Sequence, residues 1–518
     1  MKDILKMFNM KKSVILALFL IFLLGFILKT LYLSEGALIF GYDQARDAFV
    51  TQQILEGDFK ILGPPASTPG LYHGVFYYYF LAPAYLLGQG NPIWGAYWVA
   101  LFNSATVFLI YFFTEKLIKN KPFAIIAAIL FAVSFEASQY ALWLSNPTIG
   151  VWSVPLIYLG LWLWLKYGNK WAPIFSGVGL GLSIQADVFL AYHLLPLIFW
   201  LIVDRKNLGI KELSKFIIGL FASVVTMIVV EIKFGFKGIG GILNLFSRED
   251  TFVKGTGLSV LAERYFFQIG KVFSTNLFGS MDDIGKIFFP LVVFWTIYNW
   301  YKTKKRKVLS WQIFLLTYIL SHSIAVPFGG TSTPFIAVGI GVGIVILVSC
   351  LLSTVWPKNK ILVIGTIIII IVLNINKIYR ENINGQTIFS IQKDMLLSNE
   401  LKALDYIYNE TDGQSFSINT LTSPLWINTT WSYFFNWYGK SKYGYLPSWR
   451  GRDQVGQLGN NLADAPSDVS LHFYIIEPPQ GLPKLYLESE PAFEYSRSKL
   501  ISEMKFGELQ VQKREMIK

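Results

Sequence analysis

The sequence is poor in cysteine and in charge. Of its 518 residues, one is cysteine and 15% are charged, whereas soluble domains carry about 25% charged residues. The single Cys350 lies inside an apolar run, which excludes disulfide bonds within the chain and cysteine-based metal sites. There is no P-loop, H-E-x-x-H, G-x-S-x-G or G-x-G-x-x-G motif. A cytosolic nucleotide-sugar donor is therefore not indicated.

Long hydrophobic runs are abundant and predict an α-helical polytopic membrane protein. Hydrophobic residues make up 53% of the chain, and runs such as SVILALFLIFLLGFIL and ILVIGTIIIIIVLNI suffice, with their flanks, to cross about 30 Å of hydrocarbon. The first run has the alternative of a cleaved signal peptide. We favour a retained anchor because its apolar region is long and no A-x-A-like site follows.

Basic residues are concentrated in the short loops between hydrophobic runs. The net charge of +12 therefore indicates membrane orientation and a lipid bilayer partner, and it does not indicate nucleic acid. If all the basic loops are cytoplasmic, about eleven crossings of the cytoplasmic membrane follow, with a cytoplasmic N-terminus and an extracytoplasmic C-terminal region. These predicted crossings lie near 13–33, 92–114, 122–138, 147–165, 171–184, 188–203, 216–234, 286–301, 309–326, 334–353 and 361–375.

The composition changes after the last predicted crossing. Residues 1–375 are predicted to form the membrane domain, with outer-loop helices at about 40–90, one of them an interfacial helix at 75–87. Residues 376–518 are predicted to form a small extracytoplasmic α/β or α+β domain. Its periodicity predicts a helix at 394–410 and strands at 415–421, 471–477 and 506–514.

A cluster of charges follows the first hydrophobic run, in the stretch FGYDQARDAF. On a helix, Asp43 and Asp47 stand four residues apart with Arg46 between them, so both acids are expected on one face above an apolar bed. An alternative interpretation remains open, in which Asp43 caps the helix and Arg46 with Asp47 forms a solvated surface pair.

A second group of polar residues falls at membrane depth. Only 34 residues separate Lys170 from Arg205, which is short of the roughly 40 that two full crossings need. We therefore expect a short or re-entrant pair that turns near 183–187. Gln185 and Asp187 are expected to face a cavity that is open to the outside.

Four segments resemble a known family. FGYDQARDAFVTQQILEGDFKILGPPAS, YHGVFYYYFLAPAYLL, WLSNPTIG and GLGLSIQADVFLAYHLLP resemble the bacterial branch of the glycosyltransferase family 39 superfamily. That branch is similar to protein O-mannosyltransferases and lipid A aminoarabinose transferases of the GT-C fold. The resemblance implies transfer of a sugar from a polyprenyl-phosphate donor to a protein, lipid or polysaccharide acceptor on the outer face of the membrane. Asp43 matches the presumed catalytic base.

The chain departs from the family pattern at two positions where relatives carry acids. Gln44 replaces a glutamate beside the base, and Asn146 stands where a second acid is found. Both changes remove carboxylates that could bind a divalent cation, so the absence of a metal cofactor is favoured and a divalent metal remains the alternative. The loop FGGTSTPF also lacks the basic, histidine or tyrosine residue of some relatives, which leaves the phosphate contact open.

The remaining candidate residues follow from the chemistry. A single displacement that inverts the anomeric centre needs one carboxylate as base, with Asp47 as the second catalytic candidate. The phosphate requires cations, and the candidates are Arg46, Lys233 and Arg264. Other expected substrate contacts are His73, Asn146, Gln185 and Asp187. For each of these residues, the alternative is an ordinary interfacial or structural role.

Two other functional classes remain as alternatives. One is a transporter or flippase of a lipid-linked saccharide, although the chain shows no internal repeat of the kind that transporters use. The other is a glycan ligase or polymerase. The absence of a WWD motif argues against an oligosaccharyltransferase.

Overall fold

The computed structural model describes residues 11–66, 70–206, 208–247, 258–279, 282–303, 307–325, 334–452 and 462–517. The first part of the chain is helical. Its helices are α1 (Lys12–Thr30), α2 (Tyr42–Leu55), α3 (Phe76–Leu87), α4 (Pro92–Ile118), α5 (Lys121–Ala132), α6 (Phe135–Ala141), α7 (Gly150–Tyr167), α8 (Ala172–Ala186), α9 (Leu194–Val203), α10 (Ile210–Lys233), α11 (Lys237–Ser247), α12 (Leu258–Leu277), α13 (Asp282–Lys302), α14 (Trp311–Leu320), α15 (Ile340–Val355) and α16 (Lys360–Glu381).

Several of these helices have the length and composition of membrane spans. Within the described residues, five helical segments are long and apolar enough to cross a bilayer, and α5 with α6 makes a sixth if this pair, bent by 56°, is one span. The five are Lys12–Glu35, Pro92–Ile118, Asn146–Tyr167, Ile210–Lys233 and Lys360–Asn384. Helices occupy all eleven predicted positions. The chain is a multi-pass membrane protein, and the count of eleven crossings stays a prediction.

Helix α12 was not predicted from the sequence. It lies between the predicted crossings at 216–234 and 286–301, and it packs along α13 and against α15. Its charged residues interrupt the apolar run, so hydropathy alone does not distinguish it from a loop. A helix is present as α3 at the position predicted for an interfacial helix, 75–87, and its place at the membrane interface stays a prediction.

The C-terminal region contains helices packed on a five-stranded sheet. Its elements are α17 (Leu397–Thr411), β1 (Ser417–Leu421), α18 (Thr429–Phe434), α19 (Lys440–Tyr443), β2 (Ser448–Trp449), β3 (Leu471–Ile476), α20 (Lys484–Arg497), β4 (Ser498–Phe506) and β5 (Leu509–Met516). The strand order is β2-β1-β3-β5-β4. The first three of these strands are parallel, whereas β5 is antiparallel to both β3 and β4.

The predicted strands are present, with one refinement. The segment predicted as a single strand at 506–514 spans the turn between β4 and β5, where Phe506 pairs with Leu509. Gly507 has a φ of +64° in this turn, a conformation that glycine adopts without strain. The domain boundary at 375 stays a prediction, and α16 continues past it to Glu381.

The C-terminal region packs directly onto the loop that follows α1. Backbone hydrogen bonds join Phe40 N to Met395 O at 3.0 Å and Leu397 N to Leu38 O at 2.8 Å. One hydrophobic cluster contains Phe40 and Ala45 together with Trp431 of α18. Burial of this apolar surface fixes α2 against the sheet domain.

Candidate active site

Hydrogen bonds fix the position at which helix α2 begins. Gly41 is its N-cap residue, with extended backbone. Gln44 Oε1 accepts a hydrogen bond from Gly41 N at 3.0 Å, and Gln44 Nε2 donates one to Leu144 O at 3.1 Å. Gln44 thus ties the start of the helix to the chain before α7. Because Gly41 holds the cap position, the alternative in which Asp43 caps the helix does not apply.

Three charged side chains of α2 form one hydrogen-bonded cluster. Arg46 Nη1 donates to Asp43 Oδ1 at 2.7 Å. Its Nη2 and Nε donate to Asp47 Oδ1 at 2.7 Å and 2.9 Å. The exposed fractions of the side chains are 58% for Asp43, 6% for Arg46 and 1% for Asp47.

This burial pattern corrects two expectations about α2. Asp43 and Asp47 do not share an exposed face, because only Asp43 reaches the surface. Arg46 and Asp47 are not a solvated pair, since both are buried in the protein. The buried Asp47 carboxylate therefore positions Arg46, and Arg46 in turn positions the exposed Asp43.

The electrostatics of the cluster keep the guanidinium charged. Burial acts to lower the pKa of Arg46, but the carboxylates of Asp47 and Asp43 more than offset this effect, so its pKa lies above the usual value. Burial also raises the pKa of Asp47, and Arg46 opposes that rise. A buried ion pair of this kind is costly to break from one side.

His73 lies on the loop between α2 and α3. Its backbone N donates to Pro64 O at 2.8 Å, and Gly74 N donates to Gln185 O at 2.9 Å. The imidazole Nδ1 accepts a hydrogen bond from Val188 N at 3.3 Å and lies 3.8 Å from Asp187 Oδ1. Burial lowers the pKa of this imidazole, and the charges of Asp187, Arg46 and Asp43 also act on it, so His73 lies within electrostatic range of the α2 cluster.

A cavity of about 210 Å³ opens beside His73. Its walls come from the His73 loop, the break between α8 and α9, and the α10–α11 pair. Most of its lining is apolar, including Leu71, Val188, Met227 and Ile239, and its polar side chains are His73, Tyr72 and Glu231. Glu231 Oε2 accepts a hydrogen bond from Ile239 N at 3.0 Å.

Contrary to the sequence-based expectation, the side chains of Gln185 and Asp187 do not face this cavity. Gln185 Nε2 donates to Ser223 O and to Thr226 Oγ1, each at 2.8 Å. Asp187 is fully buried, and its Oδ1 accepts a hydrogen bond from Phe189 N at 2.9 Å. Each residue therefore supports the cavity wall from behind, and the predicted break in the chain is present between α8 and α9.

The other predicted substrate contacts are spread over the molecule. Asn146 is buried at the start of a 3₁₀ turn, where its Nδ2 donates to Ala186 O. Lys233 and Arg264 are exposed, on the last turn of α10 and on α12. Among the described residues, neither cation makes an ion pair with the α2 cluster. The structure thus brings together Asp43, Arg46, Asp47, His73 and Asp187. It does not bring Asn146, Lys233 or Arg264 to this group. The FGGTSTPF loop lies largely outside the described residues.

Sequence reasoning missed the aromatic support of α2. The Arg46 guanidinium lies 5.6 Å from the Tyr42 ring centroid, a distance suited to a cation–π contact. From α18, Tyr433 packs on Phe49 at 5.2 Å and Phe434 on Phe40 at 5.1 Å between ring centroids. These contacts join segments almost 400 residues apart, and the only sequence signal was the aromatic richness of WSYFFNWYG.

The described part of the chain contains no group of three or more His, Cys, Asp or Glu side chains placed to hold a metal ion. The absence of a metal cofactor stays a prediction. Gln44 and Asn146 each hydrogen-bond to backbone carbonyls.

The membrane helices, helix α2 with Asp43 and the terminal mixed sheet define a multi-pass membrane protein with a GT-C-type fold. The structure is similar over nearly its whole length to ArnT from Cupriavidus metallidurans. The crystal structure of ArnT bound to undecaprenyl phosphate gives a TM-score of 0.62 at 10% identity, covering 97% of this chain and 98% of that chain. The apo state gives 0.58 at 10% identity, with 97% of each chain covered.

This likeness confirms the GT-C-type fold that the sequence resemblance predicted. At 10% identity it establishes the fold alone. No protein-family model and no curated protein sequence matches the chain.

Proposed function

We propose that the protein is a GT-C-type glycosyltransferase of the outer face of the cytoplasmic membrane. It transfers a sugar from a polyprenyl-phosphate donor to an acceptor hydroxyl, in a single displacement that inverts the anomeric centre. The observation that carries this proposal is the Asp43 carboxylate, exposed at the start of α2 and fixed by the buried Arg46. The fold and the undecaprenyl phosphate bound to the similar ArnT structure support the class of donor.

Asp43 acts as the general base in this proposal. Its Oδ1 is held by Arg46, and in the described part of the chain no hydrogen bond reaches its Oδ2. That oxygen is available to accept the proton of the acceptor hydroxyl as the new bond to the anomeric carbon forms. The bond from the anomeric carbon to the phosphate oxygen breaks, and its electron pair leaves with the lipid phosphate. No second exposed carboxylate is found in the cluster, which suits a single displacement.

Arg46 and Asp47 position the base. Arg46 is buried and already binds two carboxylates, so its role is to orient Asp43 and not to meet the phosphate. Asp47 is too deeply buried to reach a substrate and acts through Arg46. We propose that no divalent metal takes part, so the transfer rate with EDTA should equal the rate without it.

The mostly apolar cavity beside His73 suits the start of a polyprenyl chain. Its lining of leucine, valine, isoleucine and methionine side chains offers the environment that a lipid prefers over water. The headgroup of a lipid seated there lies next to His73, within electrostatic range of Asp43. A transporter needs a path across the membrane, whereas these groups gather at the loops around α2.

The test uses the purified full-length chain in lipid vesicles with polyprenyl-phosphate sugars. Formation of a glycoside of inverted anomeric configuration, together with release of polyprenyl phosphate, is the expected result. Movement of the lipid-linked sugar across the vesicle membrane without any new glycosidic bond would instead establish a flippase. Mass spectrometry of surface glycans from cells with and without the protein identifies the sugar and the acceptor.

A further inference from the structure

Close packing of the loop that carries His73 restricts the orientation of its side chain. An alanine Cβ at position 74 would lie 1.6 Å from Gln185 Oε1 and 2.8 Å from its Cα, so Gly74 permits the loop to lie directly on α8. Phe76 N donates to the same Gln185 Oε1 at 3.3 Å. The loop and the end of α8 therefore form one packed unit, and the imidazole has little freedom.

The hydrogen bonds of the imidazole define its tautomer. Nδ1 accepts the backbone N–H of Val188 at 3.3 Å, so it carries no proton. A neutral imidazole that accepts at Nδ1 carries its proton on Nε2. Burial lowers the pKa of His73, and Asp187 opposes this effect, so the net direction favours the neutral ring. The side chain is 11% exposed and lines the cavity.

The proposed reaction creates a need that no predicted cation meets. When the sugar leaves, the charge of the lipid phosphate grows from one negative charge toward two. Arg46 is occupied by two carboxylates, and neither Lys233 nor Arg264 is among the described residues that line the cavity. A hydrogen-bond donor that is already in place costs no reorganisation when this charge develops.

We propose that neutral His73 binds a phosphate oxygen of the polyprenyl-phosphate ligand through its Nε2–H. This inference rests on the proposed function and adds the phosphate contact that the sequence left open. The geometry that supports it is the accepting Nδ1, the packed loop and the position of the ring on the cavity wall. Val188 N, which donates to Nδ1, orients the ring from behind. Glu231, the one acidic side chain lining the cavity, is bound to the start of α11.

Two substitutions separate the two nitrogens of the ring. In His73→Asn, the side-chain oxygen reaches the position of Nδ1 and accepts from Val188 N, but no donor remains at the Nε2 position. In His73→Gln, the amide nitrogen reaches the position of Nε2 and restores that donor. His73→Ala removes both. Thermal unfolding of each purified variant checks that the chain remains folded.

The experiment measures undecaprenyl phosphate binding and the kinetics of transfer for the full-length variants. We expect His73→Asn and His73→Ala to bind the lipid about 10-fold or more weakly, the effect of losing one hydrogen bond to a charged group. His73→Gln should recover most of this binding. In transfer, His73→Asn should lower kcat more than it raises KM, because the bond strengthens as charge develops.

The outcomes separate this inference from the proposed function. Equal binding of the lipid by wild type and His73→Asn overturns the role of His73 alone, as does a His73→Gln variant no better than His73→Ala. A wild-type protein that neither binds the lipid nor transfers sugar overturns both. Asp43→Asn should bind undecaprenyl phosphate like wild type, because the base does not touch the phosphate.

Discussion

At the scale of single residues, Asp43 and Asp47 carry the same functional group four positions apart and have different environments. One side chain is 58% exposed and the other 1%. The sequence identified both acids and the arginine between them. It placed them on one surface because helical spacing gives the angle between side chains but not what covers each of them. The cover comes from distant parts of the chain, such as α3 and α18.

The two substitutions of an acid by its amide should impair different properties. Asp47→Asn should mainly lower stability, whereas Asp43→Asn should mainly lower activity. Asp47→Asn removes the charge partner of a buried arginine, so we expect a loss of about 3–5 kcal/mol in the free energy of unfolding. Asp43→Asn weakens a partly exposed pair and should cost about 1 kcal/mol or less. Denaturant unfolding measures both, and transfer per folded molecule should survive far better in Asp47→Asn. A stable but inactive Asp47→Asn would make Asp47 a catalytic group.

Gly74 gives a second prediction at this scale. Gly74→Ala brings a Cβ within 2.8 Å of the Gln185 Cα, so the loop must move and His73 with it. We expect transfer to fall at least 10-fold, as a displacement of about 1 Å at an active site is enough for a larger loss. Gly365→Ala on α16 is the matched control, since nothing lies within 4 Å of its added Cβ. Wild-type activity in Gly74→Ala would show that this loop does not position the ligand.

At the scale of elements, the sequence located most helices and strands but not their contacts. Apolar runs marked the membrane helices, and alternation marked the strands of the sheet. Helix α12 was missed because its charges break the apolar run. The docking of α18 on α2 was also missed, because a contact between Tyr433 and Phe49 leaves no periodic trace in either segment.

Helix α17 carries a buried acid that makes the C-terminal region sensitive to pH. Glu400 is fully buried, and in the described part of the chain neither carboxyl oxygen has a hydrogen-bond partner. Burial and the neighbouring Glu477 raise its pKa well above 4.5. The folded chain keeps a proton that the unfolded chain releases above about pH 4.5, so stability falls as pH rises beyond that value.

The Glu400→Gln variant should remove much of this pH dependence. Between pH 5 and pH 8.5, the unfolding temperature of wild type should fall more than that of the variant, because glutamine has no proton to lose. Glu410→Gln on the same helix is the control, as Glu410 lies near the surface and pairs with Lys513 at 3.0 Å. A Glu400→Gln variant with the wild-type slope would contradict this account.

At the scale of the whole molecule, the distribution of lysine and arginine predicts which loops face the cytoplasm. The same chain that spans the membrane folds its last 130 residues or so into a domain that packs on helix α2. Sequence reasoning separated these two regions by composition. It did not show that one hydrophobic cluster joins them, because that cluster is built from residues near both ends of the chain.

Cysteine labelling tests this orientation. Cys350 is buried, so its background reaction with a membrane-impermeant thiol reagent should be low. We expect Glu56→Cys and Ser415→Cys to react in intact cells, and Lys121→Cys and Lys358→Cys to react only after permeabilisation. All four positions are exposed. Labelling of Glu56→Cys from the cytoplasmic side alone would place the α2 cluster on the wrong face for the proposed reaction.

The central claim is that the Asp43 carboxylate takes the proton of the acceptor during sugar transfer. The most direct measurement compares the single-turnover rate of purified Asp43→Asn with that of Glu56→Gln, which neutralises an exposed acid at the other end of α2. With bound donor and saturating acceptor, loss of the base should slow Asp43→Asn by about 10²–10⁴-fold, while Glu56→Gln keeps the wild-type rate. A folded Asp43→Asn that transfers sugar as fast as Glu56→Gln would contradict the account.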